Sequence, residues 1–200
     1  MPHYFDTSPS SPSSRRRVDV LLPDDAFSYD TDTSVFAHGR LDAGTKILLS
    51  VAPPPPNHGN FVDLGCGAGP ITLSLARRSP GATVWGVDVN ERARALTDHN
   101  ATTLGLSNVR VVSPDDFPAE LPIDLVWSNP PIKVGKDVLH GMLRLWLDRL
   151  APTGRAVFVV HKNLGSDSLQ SWLEREGWRA ERLASRQGYR VLLVTRPGEK

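Results

Sequence analysis

The segment Asp63-Leu64-Gly65-Cys66-Gly67-Ala68-Gly69 constrains this chain more than any other stretch. It lies where a short apolar run (60–64) gives way to a helical period (70–78), so it closes a strand and opens a helix. Alternate glycines let the backbone turn sharply and approach a ligand where any Cβ would collide. A helix N-terminus with unpaired N–H groups follows. Downstream, short apolar runs at 83–87, 109–112, 123–128 and 156–160 alternate with helical periods at 91–104, 134–150 and 166–176. A turn is expected at 152–154, and two closing strands at 179–184 and 190–195 flank a short Gly-containing link at 185–188. Such alternation implies an α/β, Rossmann-like fold. Its sheet has seven strands, mostly parallel, with helices on both faces and an antiparallel C-terminal hairpin.

Length and composition fit one domain. A chain of 200 residues, 40% hydrophobic and 22% charged, is ordinary for a globular protein and large enough to need no disulfide or metal staple. Residues 1–16 are rich in Ser and Pro and read as a disordered leader. Residues 17–56 read as an N-terminal flap with a helix at 41–51, Asp42 as its N-cap, and a stiff tetraproline at 53–56. Residues 57–200 form the main domain. The single cysteine excludes an intramolecular disulfide and fits a reducing cytosol. There is no apolar run of transmembrane length, so a cytoplasmic protein is expected, a monomer or weak homodimer. The net charge of +1 is uneven: residues 133–196 carry 12 Lys/Arg against 6 Asp/Glu, and residues 1–132 carry 10 against 15. A basic face of that kind suits a phosphate-bearing partner.

The spacing within the loop discriminates between ligands. Dinucleotide-binding loops read G-x-G-x-x-G and aim a helix at a pyrophosphate. Here the spacing is G-x-G-x-G, with Asp63 two residues before the first glycine. A carboxylate suits an ammonium better than a pyrophosphate, and S-adenosylmethionine carries an ammonium and no phosphate. Asp88, with Val89 beside it, ends the second strand and is placed to accept ribose hydroxyls. Asp115 and Asp116 follow the third strand, where an acid can take the adenine amine and Phe117 can flank the ring. Cys66 reads as a small filler, since no His/Cys cluster spaced for a metal accompanies it.

Asn129, Pro130, Pro131 and Ile132 follow the fourth strand, at the edge where α/β proteins bind ligands. The two prolines fix φ and carry no N–H, so the segment is stiff. The Asn129 side-chain oxygen and the Pro130 carbonyl can each accept a proton of an –NH2 group, aiming its lone pair at a methyl sulfonium. This is catalysis by positioning and desolvation, with no general base required.

The glycine loop together with Asn-Pro-Pro resembles the amino-methylating branch of class I methyltransferases that use S-adenosylmethionine. More narrowly, SVFAHGRLDAGT (34–45), the loop, and NPPIKVGKDVLH (129–140) resemble the "methyltransferase small" domain, a family that includes small-subunit ribosomal RNA guanine-N2 methyltransferases. The likeness implies that Asp63, Gly65, Gly67, Asp88, Asp116 and Asn129 contact cofactor or substrate, and the loop glycine Gly69 is counted with the cofactor-binding residues. It also implies that Phe36, Asp42 and Thr45 shape the pocket and that Arg190 meets RNA, while Lys133, just after the tetrapeptide, is placed to meet phosphates near the target base. The expected partner is RNA, in ribosomal RNA or a ribosomal subunit, with neither membrane nor metal. Ile132 departs from the aromatic residue common in amine methyltransferases, so a flipped base must lean on Tyr29, Phe36 or Trp127 instead. A protein glutamine amide or a small-molecule amine fits the same clamp, and a non-catalytic RNA-binding domain is the reading from another class.

Overall fold

The computed structural model describes residues 12–198, with Lys133 described by its backbone alone. The chain opens with strands β1 (Arg16–Leu21) and β2 (Ala26–Thr31), followed by α1 (Ala43–Val51). The first βα units are β3 (His58–Leu64), α2 (Pro70–Arg78), β4 (Gly81–Val87), α3 (Glu91–Thr103) and β5 (Val109–Val112). Then come β6 (Ile123–Ser128), a 3-10 turn (Ile132–Val134), α4 (Lys136–Leu147) and β7 (Leu150–His161). A second 3-10 turn (Lys162–Leu164), α5 (Ser166–Arg175), β8 (Arg179–Arg186) and β9 (Tyr189–Thr195) close the chain.

The main sheet has seven strands in the order β5-β4-β3-β6-β7-β9-β8. Strands β5, β4, β3, β6 and β7 run parallel, and β9 is antiparallel to both β7 and β8. This is the seven-stranded, mostly parallel Rossmann-like sheet with an antiparallel C-terminal hairpin that the sequence led us to expect. Alternation along each strand separates two cores. Val126, Phe158, Val160 and Leu192 pack against Leu143 and Trp146 of α4 and Trp172 of α5. Leu125, Trp127, Val159 and Val191 face Leu48 of α1 and Ile71 and Leu75 of α2.

The chain leaves β3 toward β4 on one side, while β6 docks on the other. The carboxyl ends of β3 and β6 therefore border the crevice where strand order reverses, the usual ligand position in such sheets. The glycine loop follows β3, and Asn129 follows β6.

Three local features differ from the sequence reading. The segment 134–150 is no single helix: the 3-10 turn precedes it, Gly135 interrupts with φ 95°, and α4 begins at Lys136 and ends at Leu147. The expected turn at 152–154 is absorbed into the irregular start of β7, where the β6–β7 register shifts. The hairpin β1–β2 was not foreseen, although its alternating burial turns Val18, Val20, Phe27 and Tyr29 inward. These side chains pack on Ala68, Leu73, Ala93 and Leu96 as a third layer over α2 and α3.

The hairpin is tied down by polar bonds as well. Asn100 of α3 accepts from the Asp30 N–H (2.8 Å) and donates to the Asp30 and Ala68 carbonyls (2.8 and 2.9 Å). Within the expected leader, residues 1–11 lie outside the described residues, whereas Ser13 and Ser14 donate to Asp32 (2.6 Å each).

Candidate active site at the carboxyl edge of the sheet

The glycine loop is held from below by backbone bonds. Gly65 and Cys66 N–H groups donate to the Val87 carbonyl at 2.8 and 3.0 Å. Gly69, at φ 90°, is the residue before α2, with Pro70 at the first helical position. A Cβ on Gly69 would lie 2.9 Å from the Thr97 methyl, so only glycine fits beneath this turn. Gly65, at φ 77°, has no atom of the described residues within 4 Å of its missing Cβ. The loop thus leaves room over Gly65 for a ligand while its other end is packed shut.

Two buried carboxylates stand behind the loop. Asp63 Oδ2 accepts from the Thr72 N–H (2.9 Å) and hydroxyl (2.6 Å), whereas its Oδ1 is buried without a partner among the described residues. Burial, with a smaller contribution from the Asp88 charge, pushes the Asp63 carboxyl up to about 7. Asp88 accepts from the Gly67 N–H and the Asn90 N–H, both at 2.9 Å, and burial raises its pKa as well. The helix cap of α3 is Asn90, so Asp88 is not committed to that task. Val89 beside it is 42% exposed. Cys66 is fully enclosed, its thiol held up by burial, in contact with Thr97.

Across the crevice, Asn129 is held by the N-terminal segment. Its Nδ2 donates to Asp42 Oδ2 (2.8 Å) and Thr45 Oγ1 (3.1 Å). Asp42 caps α1, accepting from the Thr45 N–H at 3.0 Å. One crevice joins Asn129, Asp42 and Thr45 to Gly65, Cys66 and Gly67, with Tyr29 and Phe36 on its wall. A larger cleft of about 430 Å³ lies at the far end of α2, where Arg77 and Arg78 are paired with Asp25 and Asp24. Size does not select the site; the grouping of polar side chains at the strand ends does.

Several expected site residues are placed otherwise. The Phe117 ring is buried between Trp85 and Trp146, with centroids 5.1 and 5.0 Å away, so it is core and does not flank a ligand ring. Arg190 points to the opposite face of the sheet from Tyr189, where it pairs with Asp167 on α5, a carboxylate it shares with Arg182; it is not a free RNA contact. The Pro130 carbonyl already accepts from the Ile132 N–H (2.8 Å), leaving one lone pair. Pro131, at φ −76° and ψ 72°, is the centre of that inverse γ-turn. Trp127 is fully buried and Tyr29 nearly so, while Phe36 is 44% exposed. Asp115 and Asp116 are exposed after β5, with Asp116 accepting from the Ser113 hydroxyl at 2.6 Å. The side chain of Lys133 lies outside the described part. Sequence reasoning missed Thr72, Thr97 and Asn100, which brace the loop from helices; a buried polar residue in a helix interior is the only sign they give.

The methyltransferase small domain profile matches residues 27–193. The chain belongs to that family. A Bacillus subtilis relative, protein YbxB, is 31% identical over 193 residues, 95% of this chain and 96% of its own. Ribosomal RNA small subunit methyltransferase C of Pseudomonas entomophila is 32% identical over 187 residues. That match covers 90% of this chain but 54% of the relative. Among solved structures, the T. thermophilus 16S rRNA N2 methyltransferase (RsmC), in complex with AdoMet and guanosine, superposes with a TM-score of 0.79 at 23% identity. It is covered over 52% of its length and this chain over 94%. This member of the family therefore spans about half the length of the named ribosomal RNA methyltransferases it resembles. No helix among the described residues is long and apolar enough to cross a membrane, and no group of three His, Cys, Asp or Glu among them could hold a metal.

Proposed function

We propose that this chain transfers a methyl group from S-adenosylmethionine to an exocyclic amine of an RNA base, guanine N2 in ribosomal RNA. The observation that carries the reading is the Asn129 amide. Both its N–H bonds are spent on Asp42 and Thr45, so its oxygen remains as an acceptor in the crevice it shares with the glycine loop.

The residues present fit the methyl donor. The orphaned, buried Asp63 Oδ1 wants a cationic partner, which an amino-acid ammonium supplies, and the open space over Gly65 admits a ligand against the backbone. Asp88 and Val89 lie at the ribose position, with Asp115 and Asp116 one strand further along the same edge. When bound, S-adenosylmethionine supplies an electrophilic methyl group on a sulfonium. Asn129 Oδ1 and the remaining lone pair of the Pro130 carbonyl accept the two amine protons and aim the nitrogen lone pair at that methyl. Phe36, half-exposed on the crevice wall beside Gly67, is the aromatic residue proposed to support the base in place of Ile132.

The RNA strand is proposed to lie along the rim beyond Asn129. His161, Tyr189 and Arg186 are neighbours across β7, β9 and β8, and Lys162 follows His161 at the same edge. Lys162 and Arg186 are exposed and make no ion pair among the described residues, unlike Arg182 and Arg190, which share the Asp167 carboxylate. Unpaired cations beside a base pocket suit phosphates. The reading places the chain in the cytoplasm, where ribosomal RNA is processed.

The test is transfer of labelled methyl from S-adenosylmethionine to ribosomal subunits, naked ribosomal RNA and a protein extract, beside Asn129→Ala. Label recovered as methylated guanine, and lost in the variant, is the expected result. Label confined to protein assigns a glutamine amide as the acceptor, and no transfer despite cofactor binding removes the RNA reading.

A further inference from the structure

We propose that Asp42 and Thr45 are positioning residues that lock the Asn129 amide with its oxygen toward the acceptor amine. The proposal rests on the reading of Asn129 given above and concerns what sets its orientation. A primary amide has a donor end and an acceptor end of nearly equal size, and rotation by 180° exchanges them. An amine that must be held by acceptors binds one orientation and is met by N–H groups in the other.

The surroundings remove the ambiguity. The two Nδ2 hydrogens have two acceptors, Asp42 Oδ2 at 2.8 Å and Thr45 Oγ1 at 3.1 Å. Rotating the amide would set Asn129 Oδ1 against the Asp42 carboxylate, replacing a charge-assisted hydrogen bond by the repulsion of two acceptors. Asp42 is in turn fixed, because the same Oδ2 accepts the Thr45 N–H as the N-cap of α1. Helix α1 cannot drift: Ile47, Leu48 and Leu49 are buried, and a Cβ on Gly44 would lie 2.6 Å from Tyr189 Cε1. The capping carboxylate of a helix outside the strand–loop motif thus sets the polarity of a side chain 87 residues away.

Asp42→Asn removes the charge at constant shape: an asparagine oxygen that keeps the cap still meets the Asn129 amide, but without the charge assistance that holds that amide in one orientation. Thr45→Val removes one acceptor at constant shape, and Thr45→Ser returns it. In Asp42→Asn, kcat is expected to fall about 10- to 100-fold while KM for RNA stays within about twofold. The melting temperature and cofactor affinity should hold. Thr45→Val should follow in the same direction, with Thr45→Ser recovering most of the loss. A second readout needs no turnover: the Asn129 side-chain amide protons, observed by 15N NMR, should exchange slowly in the native protein and fast in Asp42→Asn. Native amide protons exchanging as fast as those of an exposed asparagine would overturn the proposal. So would an unchanged kcat in a folded Asp42→Asn, or losses in Thr45→Val that track only its melting temperature. If no acceptor is ever methylated, the reading of function fails while the amide exchange still decides the orientation.

Discussion

The two walls of the crevice are built in opposite ways. The wall facing the methyl donor comes from contiguous chain: Asp63 through Gly69 turn from β3 into α2, and Asp88 ends the neighbouring strand. Its polar groups are buried carboxylates, one with an orphaned oxygen and a pKa raised to about 7. The wall facing the acceptor is assembled from distant pieces, Asn129 after β6 and Asp42 and Thr45 at the start of α1. Asn129 and Asp42 are less buried, and with the buried Thr45 they are hydrogen-bonded to one another. A cationic ligand is thus met by a buried carboxyl whose ionisation it favours, and a neutral amine by fixed dipoles. The first arrangement supplies affinity, the second supplies direction.

Changes on one wall should therefore leave the other untouched. The largest expected effect is that of Asn129→Ala, which should lower kcat about 10²- to 10³-fold with cofactor affinity nearly intact. Steady-state kinetics beside calorimetry checks it, and a parallel loss of cofactor binding would merge the two walls into one. Gly69→Ala should act the other way. Its Cβ meets Thr97 at 2.9 Å in a left-handed backbone, a cost of about 1–3 kcal/mol, visible as a lower melting temperature. Cofactor binding should weaken about tenfold, since the loop can no longer hold its shape.

Charge reversal on the rim, Lys162→Glu with Arg186→Glu, should weaken RNA binding about tenfold and flatten its salt dependence by about two phosphate contacts, with cofactor affinity unaffected. Filter binding over a salt series measures both. The smallest effect is that of pH on the donor wall. The raised carboxyl of Asp63 means that its proton stabilises the unliganded fold, fully below the ordinary carboxylate value of 3.8, and that this contribution is lost as pH rises through about 7. A cationic ligand needs the ionised form, so its binding should tighten about fivefold from pH 6 to pH 7. Asp63→Asn should abolish that slope, and a slope that survives there belongs to another group.

Much of the donor wall was legible because its chemistry is local. Glycines with carboxylates at fixed offsets, set between a period-two and a period-3.6 segment, specify a loop whatever surrounds it. The helix at 70–78 and the strands at 109–112 and 123–128 were placed at their observed ends for the same reason. The hairpin β1–β2 was not legible, although Val18, Val20, Phe27 and Tyr29 alternate; only contact with α2 and α3 makes so short a pair stable. Phe117 and Arg190 were misplaced because their roles depend on which face of a strand or loop turns inward, which register decides.

By itself the sequence determined the α/β alternation, the glycine loop and the presence of an Asn-Pro-Pro element after the fourth strand. Each is a property of neighbouring residues, of backbone freedom and side-chain periodicity. Only the tertiary structure decided that Asp63 keeps an oxygen unpaired among the described residues, that Arg190 pairs with Asp167, and that Asp42 and Thr45 fix which end of Asn129 faces the crevice. Those are matters of desolvation and of groups brought within 3 Å across tens of residues, and no local pattern encodes them.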